Sequence, residues 1–357
     1  MEVTGMNSSF LALGTVDQFE SLIWTDRYDK CGDFELYTPV WDSVLSAVPL
    51  GSFLTLRESE HIMITESIEV KTDQETGNHL VISGRSLESM LDWRVVAGQE
   101  VFKNANLQGA IQQLLNHNII APTDGYRTIP NFIFQTSVDP IITAKVVDAQ
   151  FYGGSLYTAV QSLCEANGLG FKIVLNATNQ FVFSLYVGAD RSYSQVTNNR
   201  VIFSPKFDNL VNSEYKNTTV GKGNVAFILG EGTGINKFAY WSGIDTIAMR
   251  TGMNRRELFV DASDISAQVP APGIPLADYN KQLDQRGVAT LNDSYRTTTF
   301  AGAINPVAPF TYQKDFFMGD VLQIENEYAM GGTTRVIEAI YTQNPGQTSV
   351  IPTFKSL

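Results

Sequence analysis

The chain has 357 residues, 43% of them hydrophobic and 17% charged, too long for one ordinary core and too apolar for disorder, so two to four folded domains are expected. Its formal charge of −12, from 37 acidic against 25 basic residues, argues against a broad, sequence-unspecific grip on nucleic-acid phosphates. The start MEVTGMNSSFLALGTV lacks a basic n-region and no window approaches the roughly 18 apolar residues of a membrane span, so neither a secretory signal nor a transmembrane helix is predicted.

The first predicted element is a hairpin over residues 19–39. Leu22, Ile23 and Trp24 end an apolar run, the polar stretch 25–32 closes on Gly32, and Phe34, Leu36 and Tyr37 restart the extended pattern. The second strand reads as continuing through 40–49 and, past Pro49 and Gly51, into an alternating strand at 51–56. Strands at 62–71 and 79–83 follow, joined by a turn rich in Asp, Gly and Asn. Five or six short strands within the first 84 residues, with almost no helical periodicity, predict a small antiparallel barrel or sandwich. Leu87, Met90, Leu91 and Trp93 then read as one or two helical turns able to plug or lid the sheet, with Arg85 and Arg94 as solvated charges at its ends.

Near Gly98 the pattern becomes α+β. Leu107, Ile111, Leu114 and Leu115 form a helical stripe capped by Asn106. Leu156, Val160 and Leu163 form another, with Ser155 as cap and Gly168 as stop. Residues 171–175 and 180–187 alternate around Asn176-Ala177-Thr178-Asn179 as a hairpin. Strands return at 209–217, 224–230, 237–242 and 255–260, and a Pro-rich passage at 269–275 breaks the rhythm. A third helix at 276–291 carries Leu276, Tyr279, Leu283 and Leu291 as its apolar residues, interrupted by Gly287 at about 1 kcal/mol relative to alanine. Strands then run to Leu357.

The C-terminal strands resemble the N-terminal ones at a shift of about 270 residues: 51–56 faces 319–324, 64–68 faces 336–340, Gly77 faces Gly346, and 80–82 faces 349–351. Glu66 and Glu338 both fall in the apolar phase of their strands, so each must be paired or turned outward by a bulge. The expected fold class is therefore multidomain, mainly β with α+β insertions, with two similar small antiparallel β-barrels per chain. The expected domains are 1–98, the first barrel; 99–200, α+β; 201–262 with 298–357, the second barrel; and 263–297, a helical insertion.

Catalytic equipment is sparse. His61, His79 and His117 make no HExxH and no helical pair. Cys31 and Cys164 belong to no CxxC and read as two buried thiols. Ser155 lies outside any GxSxG elbow, residues 230–234 (GEGTG) fail the dinucleotide spacing and read as a loop, and Gly221-Lys222-Gly223 lacks the rest of a P-loop. No catalytic, cofactor-binding or metal-binding residue is assigned, and no cofactor is expected. Asn-x-Ser/Thr matches at Asn7, Asn176, Asn217 and Asn292 carry no weight without a secretory context.

Several segments taken in order carry a resemblance: Trp24…Tyr28…Gly32-Asp33-Phe34-Glu35-Leu36, Ser83-Gly84-Arg85-Ser86 leading to Leu91 and Arg94, Asn209-Leu210 with Tyr215, Asn224-Val225-Ala226, Arg256-Glu257 before Phe259-Val260, Leu283…Arg286-Gly287, and Asp315-Phe316…Gly319-Asp320. Together they resemble the tail hub, or tail-associated, proteins of long-tailed bacteriophages, which are similar to the baseplate hubs of contractile tails. The resemblance implies a homotrimer whose two barrels per subunit alternate in a pseudo-sixfold ring. It implies as partners a distal tail protein hexamer, the tail tube protein, the tape-measure protein and tail-tip or receptor-binding proteins, with DNA passing unbound. Such a virion component would be made in the host cytoplasm. Many relatives continue into a C-terminal fibre or a peptidoglycan-cleaving domain; with this chain ending at Leu357, adsorption or wall-cutting activity is expected in another polypeptide. The charge of −12 adds the expectation of a pore lined by acidic and neutral side chains.

Two other readings remain open on the residues. One is a wall or polysaccharide hydrolase using a carboxylate pair such as Glu66 and Glu338. The other is a glycan-binding module using Trp24, Trp41, Trp93 and Trp241, although tryptophans at this density are more often core residues.

Overall fold

The computed structural model describes residues 1–73, 77–218, 220–268, 273–294, 297–304, 310–328, 330–344 and 346–357. Its largest element is a sheet of 13 strands, within which one strand order occurs twice. In the first unit Ser21–Arg27, Asp33–Pro39, Gly77–Ser86, Ile62–Asp73 and Phe53–Leu56 pair antiparallel in that order. In the second, Leu210–Thr218, Thr297–Ile304, Gln347–Ser356, Gly331–Asn344 and Val321–Glu325 pair antiparallel in the same order. Val3–Met6 and Ala12–Val16 extend the first unit beyond Phe53–Leu56.

The likeness reaches individual hydrogen bonds. A tight turn precedes each short strand, with the Ser52 N–H donating to Pro49 O at 3.0 Å and the Asp320 N–H to Phe317 O at 3.1 Å. The third turn residue is glycine at positive φ, Gly51 at 76° and Gly319 at 87°, as this turn type requires. Gly51 N–H donates to Thr65 O and Gly319 N–H to Val336 O, at 2.8 and 2.9 Å; Thr65 N–H and Val336 N–H donate back to Ser52 O and Asp320 O, both at 2.9 Å. Just beyond, each long strand bulges, between Thr65 and Ser67 and between Val336 and Glu338.

These units are not the two barrels expected from the sequence. Among the described residues no sheet closes on itself; the path ends at Ala12–Val16 and Leu210–Thr218. The reason is that residues 338–343 of the second unit pair with 22–27 of the first. A strand edge whose N–H and C=O groups are taken by the neighbouring unit cannot also close its own. The first unit's core, built on Leu22, Trp24, Leu36, Leu54, Met63 and Ile82, accordingly includes Ala339 and Tyr341 of the second. The second unit's own core centres on Phe203, Phe316, Leu322, Ile324, Val336 and Phe354.

Residues 40–49 do not extend the hairpin strand but hold the helix Asp42–Ala47. The Trp41 carbonyl accepts from the Val44 and Leu45 amides, and Val44, Ala47 and Val48 bury a helical face on the first unit. The middle of the chain follows its pattern. Asn106 Oδ1 caps Leu107–Leu115 through the Gly109 amide at 3.0 Å, and Ser155 Oγ caps Leu156–Asn167 through the Tyr157 amide at 3.1 Å. The hairpin Gly170–Leu175 and Phe181–Tyr186 is joined by Phe132–Gln135 in a three-stranded sheet. The turn Leu87–Trp93 sends Leu87, Met90 and Leu91 into this middle core, where they meet Ile62 and Ile64 of the first β-unit.

Val225–Leu229, Ala239–Gly243 and Glu257–Asp261 were expected in the second barrel, yet they form a separate three-stranded sheet. It shares one core with the helix Leu276–Ser294 through Ala226, Ile228, Val260, Tyr279, Leu283 and Leu291, so a boundary at 262 divides a packed unit. Leu276, expected on the apolar face, is exposed. Gly287 lies against the sheet: a Cβ there would sit 2.5 Å from Ile228 Cδ1 and 3.1 Å from Ser242 Cβ, so the residue that weakens the helix also admits its close approach. Residues 269–272 of the Pro-rich passage lie outside the described residues.

Candidate functional site

Just past the strand Ser21–Arg27 that joins the two β-units, at Tyr28, three parts of the chain meet. Tyr28 is 1% exposed. Its amide donates to Ile337 O of the second unit at 2.9 Å, and its carbonyl accepts from the Phe171 amide of the middle unit at 3.1 Å. Its hydroxyl donates to Gly168 O at 3.1 Å and accepts from Arg335 Nη1 at 2.9 Å, while the Arg335 guanidinium lies 5.0 Å from the ring centre. Burial pushes the phenol up to about 12, against the pull of Arg335, so it stays a neutral donor. Gly170 and Gly319 leave room for the ring; a Cβ on either would come within 2.5 and 2.4 Å of it.

Two residues earlier, at Asp26, a buried charge cluster begins. Asp26 and Glu88 are 2% and 1% exposed, and His61 is enclosed with them at 4%. Asp26 accepts from Trp24 Nε1 at 3.2 Å and from Ser59 Oγ at 2.7 and 2.9 Å; Glu88 Oε1 accepts the Ile173 amide at 2.7 Å and lies 3.5 Å from His61 Nδ1. Burial alone would lower the imidazole's pKa, but Asp26 and Glu88 raise it to about 9. Burial likewise opposes the Glu88 charge, and His61 nevertheless holds that carboxyl below its ordinary range. Asp26 is raised by burial, with His61 pulling the other way. A cleft of about 700 Å³ opens beside the cluster, with Arg191 and Asp320 paired at 2.6 Å on its wall.

This Asp-His-Glu group lies beside the cleft, but among the described residues no hydroxyl donates to its imidazole. Ser59 Oγ donates to Asp26 instead of to His61, and the two nearby carboxylates favour the protonated imidazole. The cluster instead links the first β-unit to the middle unit, through Glu88 and the Ile173 amide.

Glu66 and Glu338 satisfy the condition that the sequence imposed on them. Glu66 is the extra residue of the first bulge, and Arg85 grips both its oxygens at 2.8 and 2.9 Å. Glu338 lies one place past the extra residue of the second bulge, Ile337, and pairs with Arg27 Nε at 2.8 Å, whose Nη1 also binds Asp33 and Cys31 O. The two glutamates are thus offset by one register position and do not repeat each other. Arg85 is no solvated helix-end charge, nor is Arg94, whose Nε donates to Arg127 O at 2.8 Å.

Of the tryptophans, only Trp24 is core. Trp41, Trp93 and Trp241 are about half exposed, on three separate elements, and Trp241 is covered by Phe227 at 4.6 Å and Arg255 at 4.8 Å. Cys31 and Cys164 are buried free thiols. His117 meets Glu100 at 2.5 Å and His79 stacks on Tyr37 at 4.8 Å. Residues 230–234 form a loop whose Glu231 accepts the Ala267 amide at 2.8 Å. Among the described residues no His, Cys, Asp and Glu cluster could hold a metal, and no helix is long and apolar enough to cross a membrane. The Tyr28 joint and the His61 cluster carried no role in the sequence reading, because their partners lie up to about 300 residues away.

The family model described as siphovirus ReqiPepy6 Gp37-like protein matches residues 3–354. No curated protein sequence matches. Among solved structures the chain is similar to the 43 kDa tail protein of prophage MuSo2 from Shewanella oneidensis, with TM-score 0.58 and 11% identity, covering 100% of this chain and 98% of that one. It is also similar to a tail protein from Neisseria meningitidis MC58, with TM-score 0.54, 15% identity and coverage of 99% and 96%. A third is the prophage tail protein gp18 from Listeria monocytogenes EGD-e, with TM-score 0.54, 12% identity and coverage of 100% and 95%. At such identities the likeness is one of fold. The family match spans nearly the whole chain, and the chain therefore belongs to the siphovirus ReqiPepy6 Gp37-like family and carries the fold of prophage tail proteins.

Proposed function

We propose that the protein is a structural component of the phage tail, a trimeric hub at the distal tip that adapts a sixfold tube and distal-tail ring to a threefold tip. The observation that carries this reading is the five-stranded unit used twice, with the same strand order, turn and bulge. Three copies present six such units, which is how a threefold assembly can meet a sixfold one. Family membership and the fold of tail proteins support the tail assignment. The partners would be the distal tail protein, tail tube protein, tape-measure protein and tip or receptor-binding proteins. The charge of −12 suits a channel that releases DNA without holding it. A non-enzymatic role agrees with the arginines gripping Glu66 and Glu338.

Particle images of whole tails, averaged without imposed symmetry, test the proposal. The expected result is three copies below the tube, forming a ring of six similar β-lobes. A different copy number, or a position elsewhere in the tail, overturns it.

A further inference from the structure

We propose that neighbouring copies of this chain are joined strand to strand: the free half of Ile62–Asp73 in one copy pairs antiparallel with Leu210–Thr218 in the next. The register sets Val70 opposite Tyr215, Glu69 opposite Lys216 and Lys71 opposite Glu214. The inference rests on the hub reading and specifies the contact that would hold its ring together.

The chain already contains one joint between its two units, and that joint serves as the template. Gly331–Asn344 bonds on one side to Gln347–Ser356; on the other, its start bonds to Val321–Glu325 and residues 338–343 bond to 22–27. Its counterpart in the first unit, Ile62–Asp73, bonds on one side to Gly77–Ser86, and on the other its start bonds to 53–55. The following residues on that second side, from 67 onward, have no strand partner among the described residues. Leu210–Thr218, the counterpart of Ser21–Arg27, is likewise an edge, paired only with Thr297–Ile304 among the described residues. Each unit therefore lacks the partner that the internal joint supplies to the other.

The shared bulge fixes which residue stands for which. Thr65 lies opposite Gly84 and Val336 opposite Phe354, so Val70 corresponds to Tyr341. Trp24 lies opposite Phe34, which faces Gly84; Tyr215 lies opposite Phe300, which faces Phe354, so Tyr215 corresponds to Trp24. In the internal joint Tyr341 faces Trp24, with Ile340 on Thr25 and Thr342 on Ile23. Carrying this register to the open edges gives the three pairs named above.

Charge and burial both favour those pairs. The register opposes an acid to a base twice, with the signs reversed between the two pairs, so a slip of two residues would set Glu69 against Glu214 or Lys71 against Lys216. In the single chain Lys71 Nζ instead lies 3.5 Å from Glu69 on its own strand. Val70 is 54% exposed, whereas Tyr341 at the corresponding place is 1% exposed. An apolar side chain on an unpaired edge is an aggregation liability unless a specific strand covers it.

The test uses purified tails assembled from the full chain carrying Glu69→Cys and Lys216→Cys. The native thiols, Cys31 and Cys164, are buried. Mild oxidation is expected to give a denaturant-resistant covalent trimer, and neither single variant should give one. A pair shifted by one residue, Glu69→Cys with Tyr215→Cys, should link at least tenfold less. In parallel, Lys216→Glu is expected to lower incorporation into tails several-fold, and adding Glu69→Lys should restore it. Tails that contain a threefold ring but link at the shifted pair or not at all, or that the charge exchange fails to rescue, overturn the proposed strand pairing and leave the hub reading standing. Tails without a threefold ring overturn the hub reading itself.

Discussion

Gly319→Ala is expected to destabilise the protein by about 2–4 kcal/mol, whereas Gly51→Ala, at the corresponding turn of the other unit, should cost about 1 kcal/mol. Both glycines occupy positive φ, 87° and 76°, so an alanine at either meets the same backbone penalty. Their surroundings differ. A Cβ on Gly51 would find no atom within 4 Å, but one on Gly319 would lie 2.4 Å from Tyr28 Cε2 and 3.2 Å from Gly188 N. The ring cannot step aside easily, because Gly168 O and Arg335 hold its hydroxyl and Gly170 closes on the same edge. The difference between the two variants, read from denaturant midpoints at constant m-value, isolates the Tyr28 contact from the cost of the turn. Equal losses would mean that Tyr28 does not organise the joint.

The strands of both units were legible because a half-buried strand alternates, and the return at about 270 residues was legible because turn glycines such as Gly51 and Gly319 recur with it. Caps at Asn106 and Ser155 were legible because they act within three residues. Alternation does not say which edge meets which. The pairing of 338–343 with 22–27, which turns two expected barrels into one sheet, depends on contacts distant in sequence, and alternation alone does not show that Val225–Leu229, Ala239–Gly243 and Glu257–Asp261 leave the main sheet for one of their own. The helix Asp42–Ala47, with 6 residues, is too short to show its period beside strong strand signals. Tyr28 and His61 look ordinary in sequence; their importance comes from neighbours on other units.

A continuous link between units also suits a tail component. The two β-units share a continuous hydrogen-bonded sheet and a core that both supply, so forces passing along the tail would meet a rigid link instead of a hinge. The middle unit is attached to the first by an apolar core that takes in Ile62 and Ile64, and in addition by polar contacts, the Tyr28 hydroxyl and the buried charges around Glu88. Polar contacts of that kind respond to protonation, whereas the apolar core does not.

That difference gives the second large effect. His61→Gln is expected to destabilise the protein by about 3–5 kcal/mol near pH 6.5, because it leaves Asp26 and Glu88 buried without their cation. The sign of the pH dependence follows from the imidazole. Burial opposes its charge, but Asp26 and Glu88 outweigh burial and raise its pKa from 6.5 to about 9. A raised value means that the folded state holds the proton more tightly than the unfolded chain does. The stabilisation is therefore complete below about 6.5 and is lost as pH climbs through about 9. Glu88, held below its ordinary range against the effect of burial, contributes in the opposite direction: its share is present above 4.5 and disappears on acidification. Cys31 and Tyr28, both pushed up to about 12 by burial, also favour unfolding in alkali, but only once the unfolded chain's thiols and phenols begin to ionise near pH 9 to 10. The informative window is thus pH 6.5 to 8.5. There the unfolding free energy of the native protein should fall by on the order of 2 kcal/mol relative to His61→Gln, the subtraction removing every titration the two share. A native protein whose stability runs parallel to that of the variant across this window would show that His61 does not carry its charge between the two carboxylates, and the cluster would then be no more than a set of neutral hydrogen bonds.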